Sequence, residues 1–77
     1  MPEFARFDGI AIRLYSREGG HNVPHFHAIF GELETSIAIE DGKQLVGEMT
    51  RGKLRLIEAF RNSNVAALMG EWQRLNG

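Results

Sequence analysis

All three histidines of this chain fall within one short run, His21-Asn22-Val23-Pro24-His25-Phe26-His27. Imidazole is the side chain whose ordinary pKa lies between pH 5 and 8, so a cluster of it is equipment for moving protons or binding a metal. His25 and His27 are two apart, which in a strand sets them on one face, opposite Phe26. If Arg13 and Tyr15 share that face, it holds the parts of a small metal-independent ribonuclease. His25 and His27 would transfer protons, Arg13 would stabilise a phosphate-like transition state, and Tyr15 would add a phenol. That chemistry needs no cofactor. A second chemistry competes: His25 and His27, with His21 and Glu34, offer nitrogen and oxygen ligands to a divalent transition metal. A plainer reading also stands, in which these polar groups alternate outward because the sheet has one core side only.

The elements that must position these residues follow from period. Gly9 to Tyr15 alternates, with Ile10, Ile12 and Leu14 on one side and Ala11, Arg13 and Tyr15 on the other. His25 to Gly31 alternates again. A Gly31-Glu32 turn leads into a strand from Leu33 to Glu40, which sets His27 opposite Ser36 and His25 opposite Ala38. Asp41-Gly42 reads as a two-residue type I′ hairpin turn, because both central positions of that turn need positive φ. A short fourth strand, Gln44 to Met49, follows. The first six residues read as a flexible arm, and Gly19 to Pro24 as a turn-rich connection.

Beyond Met49 the period becomes helical. Thr50 is an N-cap residue, and Leu54, Ile57 and Phe60 form an apolar stripe from Arg51 to about Arg61. Asn62-Ser63-Asn64 supplies breakers, and Val65, Leu68, Met69, Trp72 and Leu75 make the face of a second helix. Strands followed by helices argue for an α+β domain: a β-meander of three to four strands with two C-terminal helices on one face, in the order β-β-β-β-α-α. The core expected is Ile10, Ile12, Leu14, Phe26, Phe30, Ile37 and Ile39 against Leu54, Ile57, Phe60, Leu68 and Trp72.

Thr50-Arg51-Gly52-Lys53-Leu54-Arg55 sets three cations in the first turns of a helix, where they oppose the macrodipole. Free N–H groups beside Arg51, Lys53 and Arg55 would bind a phosphate or another anion, a substrate-binding role beside the histidines. Neutralisation by Glu48 and Glu58, or by water, is the plainer account.

Length and composition bound these readings. Seventy-seven residues make one small domain, 1–77, which buries only about 60% of the surface of its unfolded chain. There is no cysteine, so neither a disulfide nor a thiolate metal site can form. The net charge of −1 gives no basic excess of the kind a nucleic-acid binder shows. No apolar run approaches the ~20 residues of a membrane span, and the start has no signal-peptide pattern, so a cytoplasmic protein is expected.

Arg6-Phe7-Asp8-Gly9-Ile10, Ile12-Arg13-Leu14-Tyr15, the run His21 to Ala28, and Gly31-Glu32 before a strand together resemble the bacterial domain of unknown function 4160. The resemblance runs from about Phe4 to Trp72, and Pro24-His25-Phe26-His27 is its most specific part. The chain departs from the common form at Val23, where a second proline is usual, and at Gly20, where an acid is common. The resemblance implies a small bacterial protein, often encoded beside another small protein. Its expected role is therefore the interaction component of a toxin–antitoxin-like or regulatory pair, with a small protein partner encoded nearby, or a second copy of itself as a homodimer. RNA cleavage or binding on the His25/His27 face is the alternative, and metal binding a second one.

Overall fold

The computed structural model describes residues 3–16 and 23–76. Five strands, β1 (Ala5–Phe7), β2 (Ile10–Arg13), β3 (His25–Phe30), β4 (Leu33–Ala38) and β5 (Gln44–Gly47), form one antiparallel sheet in chain order. One helix, α1 (Arg51–Asn76), follows them. The α+β meander expected from the sequence is present, with one strand more and one helix fewer.

The extra strand, Ala5–Phe7, begins within the six residues read as an arm. Asp8 (φ 49°) and Gly9 (φ 78°) both take positive φ, so they close a two-residue hairpin with Phe7 opposite Ile10. Register then sets Phe7 and Ala5 on the core face and Arg6 beside Ala11 on the other. Phe4 and Phe7 bury their rings against Phe60, Phe7 stacking at 4.9 Å between centroids. About 0.5–1.5 kcal/mol per aromatic pair beyond burial explains why this segment stays on the sheet.

The β3–β4 register is the one the Gly31-Glu32 turn predicts, with His27 opposite Ser36 and His25 opposite Ala38. The β4–β5 connection is longer than the two-residue turn expected. Ala38 N–H donates to the Lys43 carbonyl and Gly42 N–H to that of Ala38, which makes residues 39–42 the loop, and β4 ends at Ala38 rather than Glu40. Only Gly42 has positive φ there; Asp41 instead accepts from Lys43 N–H through its side chain. A bulge between Ser36 and Ile37 then turns Gln44 to the core face and Val46 to the opposite one.

In α1, Thr50 caps the start by accepting from Lys53 N–H at 3.2 Å. The breakers Asn62-Ser63-Asn64 kink the helix and do not end it. Asn64 leaves helical geometry (φ −134°, ψ 19°) while its side-chain amide donates to the Phe60 carbonyl, which satisfies a group the kink would orphan. The two helices expected are therefore two arms of one kinked helix. Ile57, Leu68 and Trp72 close the core over Ile10, Ile12, Leu14, Phe26, Ala28, Ile37 and Ile39, with Leu54, Phe30 and Phe60 packed around them.

Candidate functional site

Register aligns the outer face residue by residue. Arg13 pairs with His27, and His27 with Ser36, so a guanidinium, an imidazole and a hydroxyl lie side by side across β2, β3 and β4. His27 Nδ1 lies 3.0 Å from the Glu34 carboxylate and 3.5 Å from Ser36 Oγ. A carboxylate on Nδ1 selects the tautomer whose lone pair sits on Nε2, the arrangement that orients a histidine base. Tyr15 meets the His27 ring edge-on at 4.8 Å. Of the acid/base set His25, His27, Arg13 and Tyr15, the sheet thus pairs Arg13 with His27, and the His25 ring, like that of Tyr15, meets the His27 ring edge-on, at 5.3 Å. Glu34 and Ser36 are additional neighbours of the imidazole.

His25 does different work. It is only 5% exposed. Its Nδ1–H donates to the Val23 carbonyl at 2.9 Å, and its ring lies 5.0 Å from that of Trp72. The expectation that both histidines look out from a flat, wet face is therefore corrected. Beyond the kink, α1 carries Trp72 to the end of the sheet where β3 begins, and the indole covers His25. Near it, Asn76 donates to the Tyr15 carbonyl. His25 is a buried packing residue. His25→Ala is expected to lower stability by about 2 kcal/mol through a lost hydrogen bond and a void under Trp72. His27→Gln should cost less, about 1 kcal/mol, because glutamine keeps a hydrogen-bonding group beside Glu34 at a position that is partly covered. Thermal unfolding of the two variants checks the contrast.

A groove of about 360 Å³ opens on the same face, lined by Arg6, Ala11, Arg13, Tyr15, Ile29 and Glu34 with Gly9 and Gly31 at its rim. Glu3 lies against it. Its carboxylate forms a two-pronged pair with Arg6 and stands 3.8 Å from Arg13 Nη2. The Arg6 hydrogen bond, aided by both guanidinium charges, holds the Glu3 carboxyl below its usual range. Arg13 Nε is buried and meets no hydrogen-bond partner among the described residues.

These features can be set beside known proteins. A family model described as Domain of unknown function (DUF4160) matches residues 9–73. The chain belongs to this family. No curated protein and no solved structure matches it. Membership covers the groove residues from Gly9 onward, the His25-to-Ala28 motif and most of α1. Glu3 and Arg6 lie before the matched segment.

The remaining expected site residues do not converge on the groove. Lys53 Nζ donates to the Asp8 carbonyl at 3.1 Å and sits 4.4 Å above the Phe30 ring. Phe30 shares the face of Phe26, so Lys53 pins the first hairpin to the helix start on the side away from His27. Arg51 and Arg55 are exposed on that helix, and none of the three cations lines the groove. The expected substrate-binding cluster is thus separate from the histidines. Of the metal set His21, His25, His27 and Glu34, His21 lies outside the described residues. The His25 and His27 rings meet edge-on at 5.3 Å, and no group of three acidic or histidine side chains among the described residues could hold an ion. Among the described residues, no helix is long and apolar enough to cross a membrane.

Sequence reasoning missed Arg6 and Glu3 because it read them as an arm. The signal that finds them is Asp8-Gly9, the same dipeptide that marked the later hairpin. It also missed Arg61, 6% exposed on α1, because a helix stripe pattern gives a cation no reason to point inward.

Proposed function

We propose that this protein is the interaction component of a small bacterial two-protein module, and that its partner adds a strand to the free edge at β5. The exposure of that edge carries the reading. All four residues of β5 are exposed, with Leu45 at 40% and Val46 at 66%. The strand Gln44-Leu45-Val46-Gly47 holds no proline, lysine or inward charge, three of the devices that blunt an edge. An edge of this kind supplies backbone donors and acceptors for affinity and an apolar side chain for specificity. The size of the chain agrees, because a 77-residue domain without disulfides gains most from a partner. The family resemblance, with a second small protein encoded alongside, supports the same reading.

Co-expression with the neighbouring gene product tests it. A stable complex with a raised melting temperature is expected. Val46→Lys should abolish the complex while the variant alone melts within about 2 °C of the parent, since the residue is on the surface. A complex that Val46→Lys leaves intact, or no complex at all, overturns the reading.

A second reading keeps a specific observation. The Glu34–His27 pair beside Arg13 is the geometry of an oriented general base with a cation at hand. RNA-directed activity on this face would be lost in His27→Gln. His25→Ala cannot serve as that test, because it removes packing as well as an imidazole. RNA cleavage that survives in folded His27→Gln protein sinks this alternative.

A further inference from the structure

We propose that the groove between Arg6 and Arg13 receives a carboxylate presented by the partner chain, and that Glu3 occupies this place in the free protein. The inference rests on the interaction reading and deepens it, naming a second contact on the outer sheet face.

Three observations converge. First, two guanidiniums from neighbouring strands share one carboxylate. Glu3 bonds Arg6 through both oxygens, yet reaches Arg13 only at 3.8 Å. A guanidinium offers five donors in a planar fork, and the second fork here is incompletely used. Secondly, Arg13 Nε is buried without a hydrogen-bond partner among the described residues. A buried donor without a partner is costly, and a closer acceptor would recover that cost. Thirdly, the space that such an acceptor needs is present: the groove holds about 360 Å³ beside these two arginines.

The chemistry favours a single carboxylate over a nucleic-acid backbone. The lining also includes Glu34, whose charge would repel a run of phosphates. Among the described residues, the exposed cations Arg51 and Arg55 belong to the helix start and do not line the groove, where Arg6 and Arg13 are the only cations. A carboxylate that replaces that of Glu3 leaves the local charge unchanged. The rest of the lining, Ala11, Ile29 and the Tyr15 ring, suits an apolar side chain next to the acid.

Glu3 makes the site self-limiting. A tethered carboxylate acts at an effective concentration in the millimolar range, so a free competitor loses affinity unless it brings further contacts. A partner that also engages β5 brings them.

The test follows the Arg13 Nε–H resonance of the full chain by NMR, together with backbone amides of β2 and β3. The probes are acetate, a blocked peptide with one glutamate between two leucines, its glutamine counterpart, and a single-stranded RNA hexamer. In Glu3→Gln the glutamate peptide should bind about tenfold tighter than in the parent, and tighter than acetate, with a shift at Arg13 Nε–H. The glutamine peptide should give no shift. Arg6→Gln, a change at an exposed residue, should weaken the peptide about tenfold, so the proposal does not depend on the folding of Arg13→Gln. Binding unchanged by Glu3→Gln overturns the proposal, as does a peptide no better than acetate or an RNA hexamer that outcompetes it. If Val46→Lys breaks the two-protein complex while Glu3→Gln and Arg6→Gln leave its affinity unchanged, the edge reading stands and this one falls. If peptide binds as expected and no complex forms, the groove stands and the edge reading falls.

Discussion

Arg61→Met is expected to lower stability by about 3 kcal/mol, out of the roughly 4–12 kcal/mol that a chain of this size holds in total. Arg61 bonds both Glu58 oxygens, at 3.0 and 2.6 Å, the Asn62 side chain, and the carbonyls of Ile39 (2.9 Å) and Glu40 (3.3 Å). One guanidinium thus ties the helix to the loop that leaves β4. Methionine keeps the length and removes every donor. The Glu58 side chain is 46% exposed, so water takes over most of its loss. The cost lies in the Ile39 carbonyl, whose residue is fully buried and which water reaches poorly. Glu58→Gln, which leaves the carbonyls bonded, should cost only about 1 kcal/mol.

The same pair sets an acid limb. The hydrogen bond from Arg61 holds the Glu58 carboxyl below its usual value, against the opposing effect of burial. A folded pKa below the unfolded one contributes stability that is present above the unfolded value and lost as pH falls through the folded one. Wild-type protein should therefore lose this increment below about pH 4.5, and Arg61→Met should lack it. A melting temperature about 12–24 °C lower at neutral pH, with the gap narrowing in acid, is the expected result. A variant that melts with the parent at pH 7 would show the carbonyls to be solvated.

Arg61 also marks where the sequence stopped being legible. Apolar period located β2, β3, β4 and both arms of α1, because a two-sided strand and a one-sided helix write their burial directly as alternation. It gave the His27–Ser36 register, since a two-residue turn leaves no other pairing. It failed where a residue's role depends on a distant backbone group. Arg61 points inward only because the Ile39 carbonyl is there. His25 shares the parity of His27, yet it is buried because Trp72 arrives from a helix arm beyond a kink. Asn64 looks like a stop, and becomes a kink because its amide bonds Phe60. Glu3 and Arg6 were invisible as a site because a three-residue strand is too short to show a period. Of the candidate site, the sequence supplied Arg13, Tyr15, His27 and Glu34, which the sheet aligns. It also supplied Arg51, Lys53 and Arg55, which the sheet keeps apart.

Gly47→Ala should be as damaging as the loss of Arg61, about 3 kcal/mol or more, and it should act on the strand proposed to meet the partner. Gly47 has φ +96°, in a region that residues with a Cβ rarely adopt. A Cβ placed there would lie 2.2 Å from the Glu34 carbonyl oxygen and 2.8 Å from Thr35 Cα. These are backbone atoms of β4, so no side-chain rotation relieves the clash. The glycine exists because the bulge before it brings β5 close to β4, where Glu48 N–H donates to the Glu34 carbonyl. Alanine must push the two strands apart and break that bond, along with the Thr35 hydroxyl bond to Val46. Hydrogen exchange separates this local effect from global unfolding: the Glu48 amide should lose protection in Gly47→Ala while those of β2 and β3 fall only as far as global stability does. The same variant should fail to capture the partner even at temperatures where the rest of the sheet is folded. An unchanged Glu48 amide would mean that β5 tolerates the side chain and that its closeness to β4 is not what holds the edge in place.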